Sequence, residues 1–133
     1  MALPNGAGGY QVGAGNRQET IMGAFAAPQT ATSTATLTAA QITGGMLVAN
    51  PSTSAATYTL PTAAQIDAAV PNATVGSTFD LNVVNVGTSS GTVTLATATG
   101  WTLVGNMGVT ETTSGHFRAR KTGDGAWTLY RIS

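Results

Sequence analysis

The chain has 133 residues, no cysteine, and five basic against five acidic side chains, so its formal net charge is zero. Charged residues make up 8% of it, against roughly 25% in an ordinary soluble domain. One domain is expected at that length; a disulfide framework, a thiolate zinc site, and nucleic acid or an anionic membrane as main partner are all disfavoured.

Residues 1–34 stand apart from the rest. They open Leu3-Pro4-Asn5-Gly6-Ala7-Gly8-Gly9 and carry only two charges, Arg17 and Glu19. Glycine at that density forfeits too much backbone entropy for a helix. No basic region and apolar stretch of a signal peptide is visible, and no run of ~20 apolar residues offers a bilayer span. The larger apolar residues Leu3, Tyr10, Val12, Ile21, Met22 and Phe25 are too scattered to build a core. A solvated tail would satisfy the glycines. The apolar residues favour an extended arm that orders on a partner surface and buries Ile21, Met22 and Phe25 there.

The pentapeptide Thr-Ala-Ala-Gln-Ile occurs at 38–42 and again at 62–66. Each copy fits a capping box, with Thr at the N-cap and Gln at N3. The first copy stops at Gly44-Gly45 and predicts one turn at most. The second runs on to Pro71 and predicts a two-turn helix, the one helix expected of the chain. Because the flanks match poorly, the two copies read as two uses of one local signal.

The remainder reads as strand. Met46–Ala49 is short and apolar, Thr57–Leu60 alternates, and Phe79–Val86 places Phe79, Leu81 and Val83 on one face. The turn Gly87–Gly91 leads into Thr92–Ala96 and predicts a hairpin. Trp101–Val104 lies between glycines, and Met107–Thr112 is a further candidate. His116–Lys121 and Trp127–Ile132 form a last hairpin through Gly123-Asp124-Gly125. A three-residue loop there puts Phe117, Ala119, Leu129 and Trp127 inside, and His116, Arg118, Arg120, Thr128 and Tyr130 outside. Short strands with turn signals roughly every ten residues imply an all-β fold, a small antiparallel β-sandwich or barrel over residues 35–133. A domain of that size is marginal alone, and without disulfides or metals the usual remaining support is oligomerisation. The small, uncharged, Thr-rich surface points the same way.

Chemistry is thinly represented. Of the carboxylates, Glu19 lies in the arm, Asp67 on the helix and Asp124 in a turn; Asp80 and Glu111 lie on predicted strands with nothing to bring them together, so the acid pair of a glycosidase is not expected. His116 is the single histidine, which rules out a His-rich metal site, and no G-x-S-x-G elbow is present. The glycine-rich segments lack the Lys-Ser/Thr of a phosphate loop. The late basic residues Arg118, Arg120, Lys121 and Arg131 neutralise few phosphates and read as a solvated face or as partners for a neighbouring subunit's acids. Trp101, Trp127 and Tyr58 read as core rather than as a sugar-stacking platform. No enzyme activity, cofactor or metal is expected.

Several phrases carry a family resemblance. They are Tyr10–Glu19, Ala35–Ile42 with Gly44-Gly45, Asn50–Thr53, Tyr58–Thr62, Gly100–Asn106 and Phe117–Gly123. Together they resemble the capsid decoration (cement) proteins, or related head-surface proteins, of tailed bacteriophages. The resemblance implies a homotrimer on the outer capsid surface whose arm reaches the major capsid protein through Tyr10, Val12, Arg17, Glu19, Ile21, Met22 and Phe25. It leaves His116, Arg118, Arg120 and Tyr130 as a candidate subunit-interface face. Head-fibre and tail-fibre proteins share the Leu-Pro-Thr and Gly-Trp phrases, which keeps a glycan-binding fibre segment as the alternative.

Overall fold

A computed structural model of the protein describes residues 23–24 and 26–133. It contains strands β1 (Gln29–Ala31), β2 (Ala35–Thr36), β3 (Met46–Ala49), β4 (Ala56–Thr59), β5 (Thr78–Asn85), β6 (Val93–Ala96), β7 (Trp101–Val104), β8 (Gly108–Val109), β9 (Ser114–Gly123) and β10 (Ala126–Arg131). Two helices, α1 (Ala39–Thr43) and α2 (Ala63–Ala69), interrupt them. One sheet has six strands in the order β1-β3-β5-β9-β10-β7, and the other has four in the order β2-β4-β6-β8. The β-rich class expected from the sequence is therefore present, with two helices where one was expected.

The antiparallel expectation is corrected. Through β6 the chain alternates between the sheets, one strand in each, so that β3 lies parallel to β1 and to β5, and β4 lies parallel to β2 and to β6. The β7–β10 pair is parallel as well, and only β5–β9, β9–β10 and β6–β8 run antiparallel. Three turns of a two-sheet winding stack first, and the later strands close it.

The predicted hairpin of residues 79–86 with 92–96 is also corrected, because β5 and β6 lie in different sheets. The Gly87–Gly91 turn carries the chain across the sandwich. Asn85 holds that corner from inside. Its buried amide donates to the carbonyls of Gly91 (2.8 Å) and of Val109 on β8 (2.9 Å), and its Oδ1 accepts from the Gly87 N–H (2.8 Å). One side chain thus replaces backbone pairing where neither sheet can supply it.

The repeated pentapeptide, read from the sequence as two uses of one local signal, marks equivalent places on adjacent turns of the winding. Thr36 and Thr59 are register partners, and the Leu37 N–H donates to the Thr59 carbonyl at 2.7 Å. Leu37 and Leu60 are then buried, both capping boxes form, and Ile42 and Ile66 are buried in turn. α1 packs on α2. The extra residue Pro61 in the second copy hides the match in a gapless reading of the flanks.

One core joins the inner faces of both sheets and the helices. Inward positions alternate as predicted along β9 and β10, with Phe117, Ala119, Trp127 and Leu129 buried. Thr128, expected outside, is buried as well. The turn is two residues, Asp124-Gly125, with Gly123 paired to Ala126; a bulge then brings Trp127 opposite Lys121 and restores the predicted faces. Trp127 packs on Phe79 and Trp101 with ring centroids 5.4 and 6.2 Å away. Gly100 permits this packing. Its φ is +88°, and a Cβ there would run into the Gly125 carbonyl and the Cβ of Ala63. Two boundaries shift: the Met107–Thr112 candidate shrinks to β8, and sheet pairing begins at Gln29, inside the stretch assigned to the arm.

Replacing Asn85 by Ala strands two carbonyls and an N–H in the interior. We expect it to cost about 3–5 kcal/mol, read from urea unfolding, whereas a loss under about 1 kcal/mol would mean that the corner holds without the amide.

Candidate functional site

The outer face of the six-stranded sheet gathers the predicted interface residues. Alternation along β5 turns Asp80 and Asn82 outward, while Leu81 and Val83 enter the core. Register then places Arg118 directly opposite Asp80 and His116 opposite Asn82. On the far side Tyr130 is opposite Arg118, and Thr128 is opposite Arg120. His116, Arg118, Arg120 and Tyr130 therefore do share one face. Met46, Val48, Val84, Val104 and Ile132 lie partly or well exposed on or beside it.

Asp80 organises the charge on this face. Arg118 grips it in bidentate fashion, Nε to Oδ1 at 2.8 Å and Nη2 to Oδ2 at 3.1 Å. The His116 Nε2 lies 3.1 Å from the same Oδ2. The Arg118 hydrogen bonds first, and the His116 contact second, draw the Asp80 carboxyl down to about 2. The paired charges are cross-strand neighbours, the arrangement that stabilises antiparallel pairs. The sequence reading placed Asp80 on a strand without a partner; only the β5–β9 register supplies one. Among the described residues no hydroxyl hydrogen-bonds to the His116 ring. No three of His, Cys, Asp and Glu gather as metal ligands among the described residues.

A second cluster ties α2 to the tip of the last hairpin. The Asp67 carboxylate accepts from the Gly125 N–H at 2.6 Å and from the Trp127 indole at 2.8 Å, and pairs with the Lys121 Nζ at 3.0 Å. Lys121, whose side chain is 7% exposed, also reaches Asp124 at 3.5 Å and the Ala73 carbonyl at 3.3 Å. The backbone bond from Gly125 and the indole bond hold Asp67 below its ordinary value, and the Asp67 hydrogen bond raises Lys121 against the opposing pull of burial. The late basic residues are thus not one solvated face. Arg118 and Lys121 are paired within the chain. Arg131 turns inward, 5.0 Å above the Phe117 ring, and donates to the Gly108 carbonyl at 2.8 Å. Alternation along β9 already put Lys121 on the inner face, which was the one legible hint of its burial.

Trp101 and Trp127 are 8% and 1% exposed, and Tyr58 is fully buried. None of the three offers a ring face to a sugar. The Trp101 indole donates to the Pro61 carbonyl at 2.7 Å, and the Tyr58 hydroxyl donates to the carbonyls of Ala31 and Thr32. The arm residues Tyr10, Val12, Arg17, Glu19, Ile21, Met22 and Phe25 lie outside the described residues. No described helix is long and apolar enough to cross a membrane. No family model, curated protein or solved structure matches the chain.

Both depressed carboxyls stabilise the folded protein above the ordinary value near 3.8, and the contribution fades as pH falls toward the folded-state value, about 2 for Asp80. Stability should therefore drop between about pH 4 and pH 2. Asp67→Asn and Asp80→Asn should each flatten that slope in acid titrations followed by tryptophan fluorescence; an unchanged slope in both variants would show that neither cluster carries it.

Proposed function

We propose that the protein is a non-enzymatic virion component, a homotrimer that decorates the outer surface of a tailed-phage capsid and clamps neighbouring copies of the major capsid protein. The trimer hub is residues 35–133 together with β1. The arm contacts the shell through Tyr10, Val12, Arg17, Glu19, Ile21, Met22 and Phe25.

The observation that carries this reading is the outer face of the six-stranded sheet. Its outward residues Asp80, Asn82, Val84, His116, Arg118 and Arg120 are partly or well exposed, while the helices bury Ile42 and Ile66 in the core. Aliphatic residues border a charge cluster already neutralised within the chain. Burying such a face against a second subunit leaves no carboxylate without a partner, the usual cost of putting charge into an interface. The phage resemblance supplies the trimer and the shell, and the low charge of the whole chain agrees with a surface meant to be covered.

A clamp of this kind works by multiplicity. Three arms on one hub act at high effective concentration, so shallow contacts by Ile21, Met22 or Phe25 add up. Binding one state of the shell and not the others is what stabilises that state.

The test respects β1. Deleting residues 1–22, rather than 1–34, leaves the β1–β3 pairing intact. The truncated protein should sediment as a trimer and fail to bind capsids. Full occupancy of shells by the truncated protein, seen by electron microscopy, would sink the arm's role. Val84→Asp should in turn release folded monomers, and an undiminished trimer would remove the sheet face as the interface.

A further inference from the structure

The tip of the last hairpin holds the chain's only Asp-Gly pair, Asp124-Gly125; Asp67 and Asp80 are followed by Ala68 and Leu81. Such a pair can react with itself. A glycine nitrogen carries no neighbouring side chain to keep it from the carboxyl carbon of the preceding residue, and glycine lets the backbone turn toward it. Access is open here. The Asp124 side chain is fully exposed, and nothing lies within 4 Å of where a Gly125 Cβ would stand. Both reacting groups are nevertheless held elsewhere. The Gly125 N–H donates to the Asp67 Oδ2 on α2 at 2.6 Å, and the Asp124 Oδ1 pairs with the Lys121 Nζ at 3.5 Å. Lys121 is itself anchored to the Asp67 Oδ1 at 3.0 Å. One carboxylate on α2 therefore fixes the peptide plane directly and the Asp124 side chain through Lys121. Held below its ordinary value, Asp67 stays an ionised acceptor at neutral pH.

We propose that Asp124-Gly125 is a self-modification site whose conversion to isoaspartate is gated by the contact between the hairpin tip and α2, with Asp67 as the positioning residue of that gate. The reaction needs only water. The Gly125 nitrogen bonds to the Asp124 Cγ, the amide proton and the carboxyl hydroxyl leave together as one water, and a cyclic imide closes. Water then adds to the former main-chain carbonyl of Asp124. The bond from that carbonyl to the Gly125 nitrogen breaks, and the nitrogen keeps the side-chain carbonyl. Composition is unchanged, but the chain now runs through Cβ and Cγ and is longer by one carbon. The first step does not start from the closed tip, because the peptide must turn its nitrogen toward Cγ while a charged acceptor holds the N–H. It starts when the tip lifts from α2, a local opening that leaves the rest of the fold in place. With the extra carbon in place, the turn no longer presents the Gly125 N–H to Asp67, so the modification marks molecules whose tip has opened.

Trypsin cuts after Lys121 and Arg131 and releases residues 122–131, in which isoaspartate and aspartate have equal mass and separate by chromatography. The full-length protein is aged at neutral pH, folded and in urea, beside Asp67→Ala. The folded protein should form isoaspartate at least about tenfold more slowly than the unfolded chain, and Asp67→Ala should recover most of that factor while the other β9 and β10 amides stay protected from hydrogen exchange. Exchange also gives a readout without substitution. The Gly125 amide should be protected in the native protein, despite its exposed tip, by about the factor that slows the reaction. Should Asp67→Ala unfold, the urea comparison and the Gly125 amide decide. Equal rates in folded and unfolded protein overturn the gate, as does a Gly125 amide that exchanges freely, or a folded Asp67→Ala that ages no faster than the native protein. No isoaspartate in the unfolded chain removes the site itself.

Discussion

Parallel strands cannot be joined by a tight turn, and that constraint shapes this protein. Each return to the same sheet needs a crossover, which most folds make with a long helix. Here the crossover passes through the opposite sheet, so both sheets grow together as the chain winds. Inner positions stack in register across three strands, as in the column Ala31, Ala49 and Asn85. The short helices are what remains of the crossover after the strand, and each starts with a capping box because its first N–H groups have no other partner. Asn85 meets the same constraint at the third crossing, where Gly87–Gly91 turns between sheets with no helix to fill the corner.

The last hairpin ends the winding. β9 and β10 are antiparallel, pair with β5 on one side and β7 on the other, and so join the two arms of the six-stranded sheet. Their tip is fastened to α2 through Asp67, Lys121 and the Trp127 indole. The hydrogen bonds from Gly125 and Trp127 to Asp67, with the Lys121 pair, outweigh the burial of the carboxylate, so the cluster stabilises the fold as well as fixing its geometry. Here it sets where the hairpin lies on the helix, and Gly100 permits the close approach that the geometry requires.

Fastening the hairpin at its tip leaves its outer face open. That face carries the Asp80–Arg118–His116 cluster, whose side chains are partly or well exposed, beside aliphatic residues.

Whatever depends on near neighbours along the chain was legible before any strand was paired. Alternation identified β4, β5 and both strands of the last hairpin with their buried side, a short apolar run marked β3, bounding glycines marked β7, and Thr-x-x-Gln placed both helix starts. Alternation also brought His116, Arg118, Arg120 and Tyr130 to one face, since period two needs no knowledge of the partner strand. Which strands pair, and in which direction, came from the three-dimensional winding alone. A strand's pattern is the same beside a parallel or an antiparallel neighbour, so residues 79–86 and 92–96 read as a hairpin although they lie in different sheets. The same reason hid every long-range partner. Asp80 finds Arg118, Asp67 finds Lys121, and Asn85 finds Val109 across separations of 38, 54 and 24 residues. Contacts of that kind follow from the winding and leave no local mark.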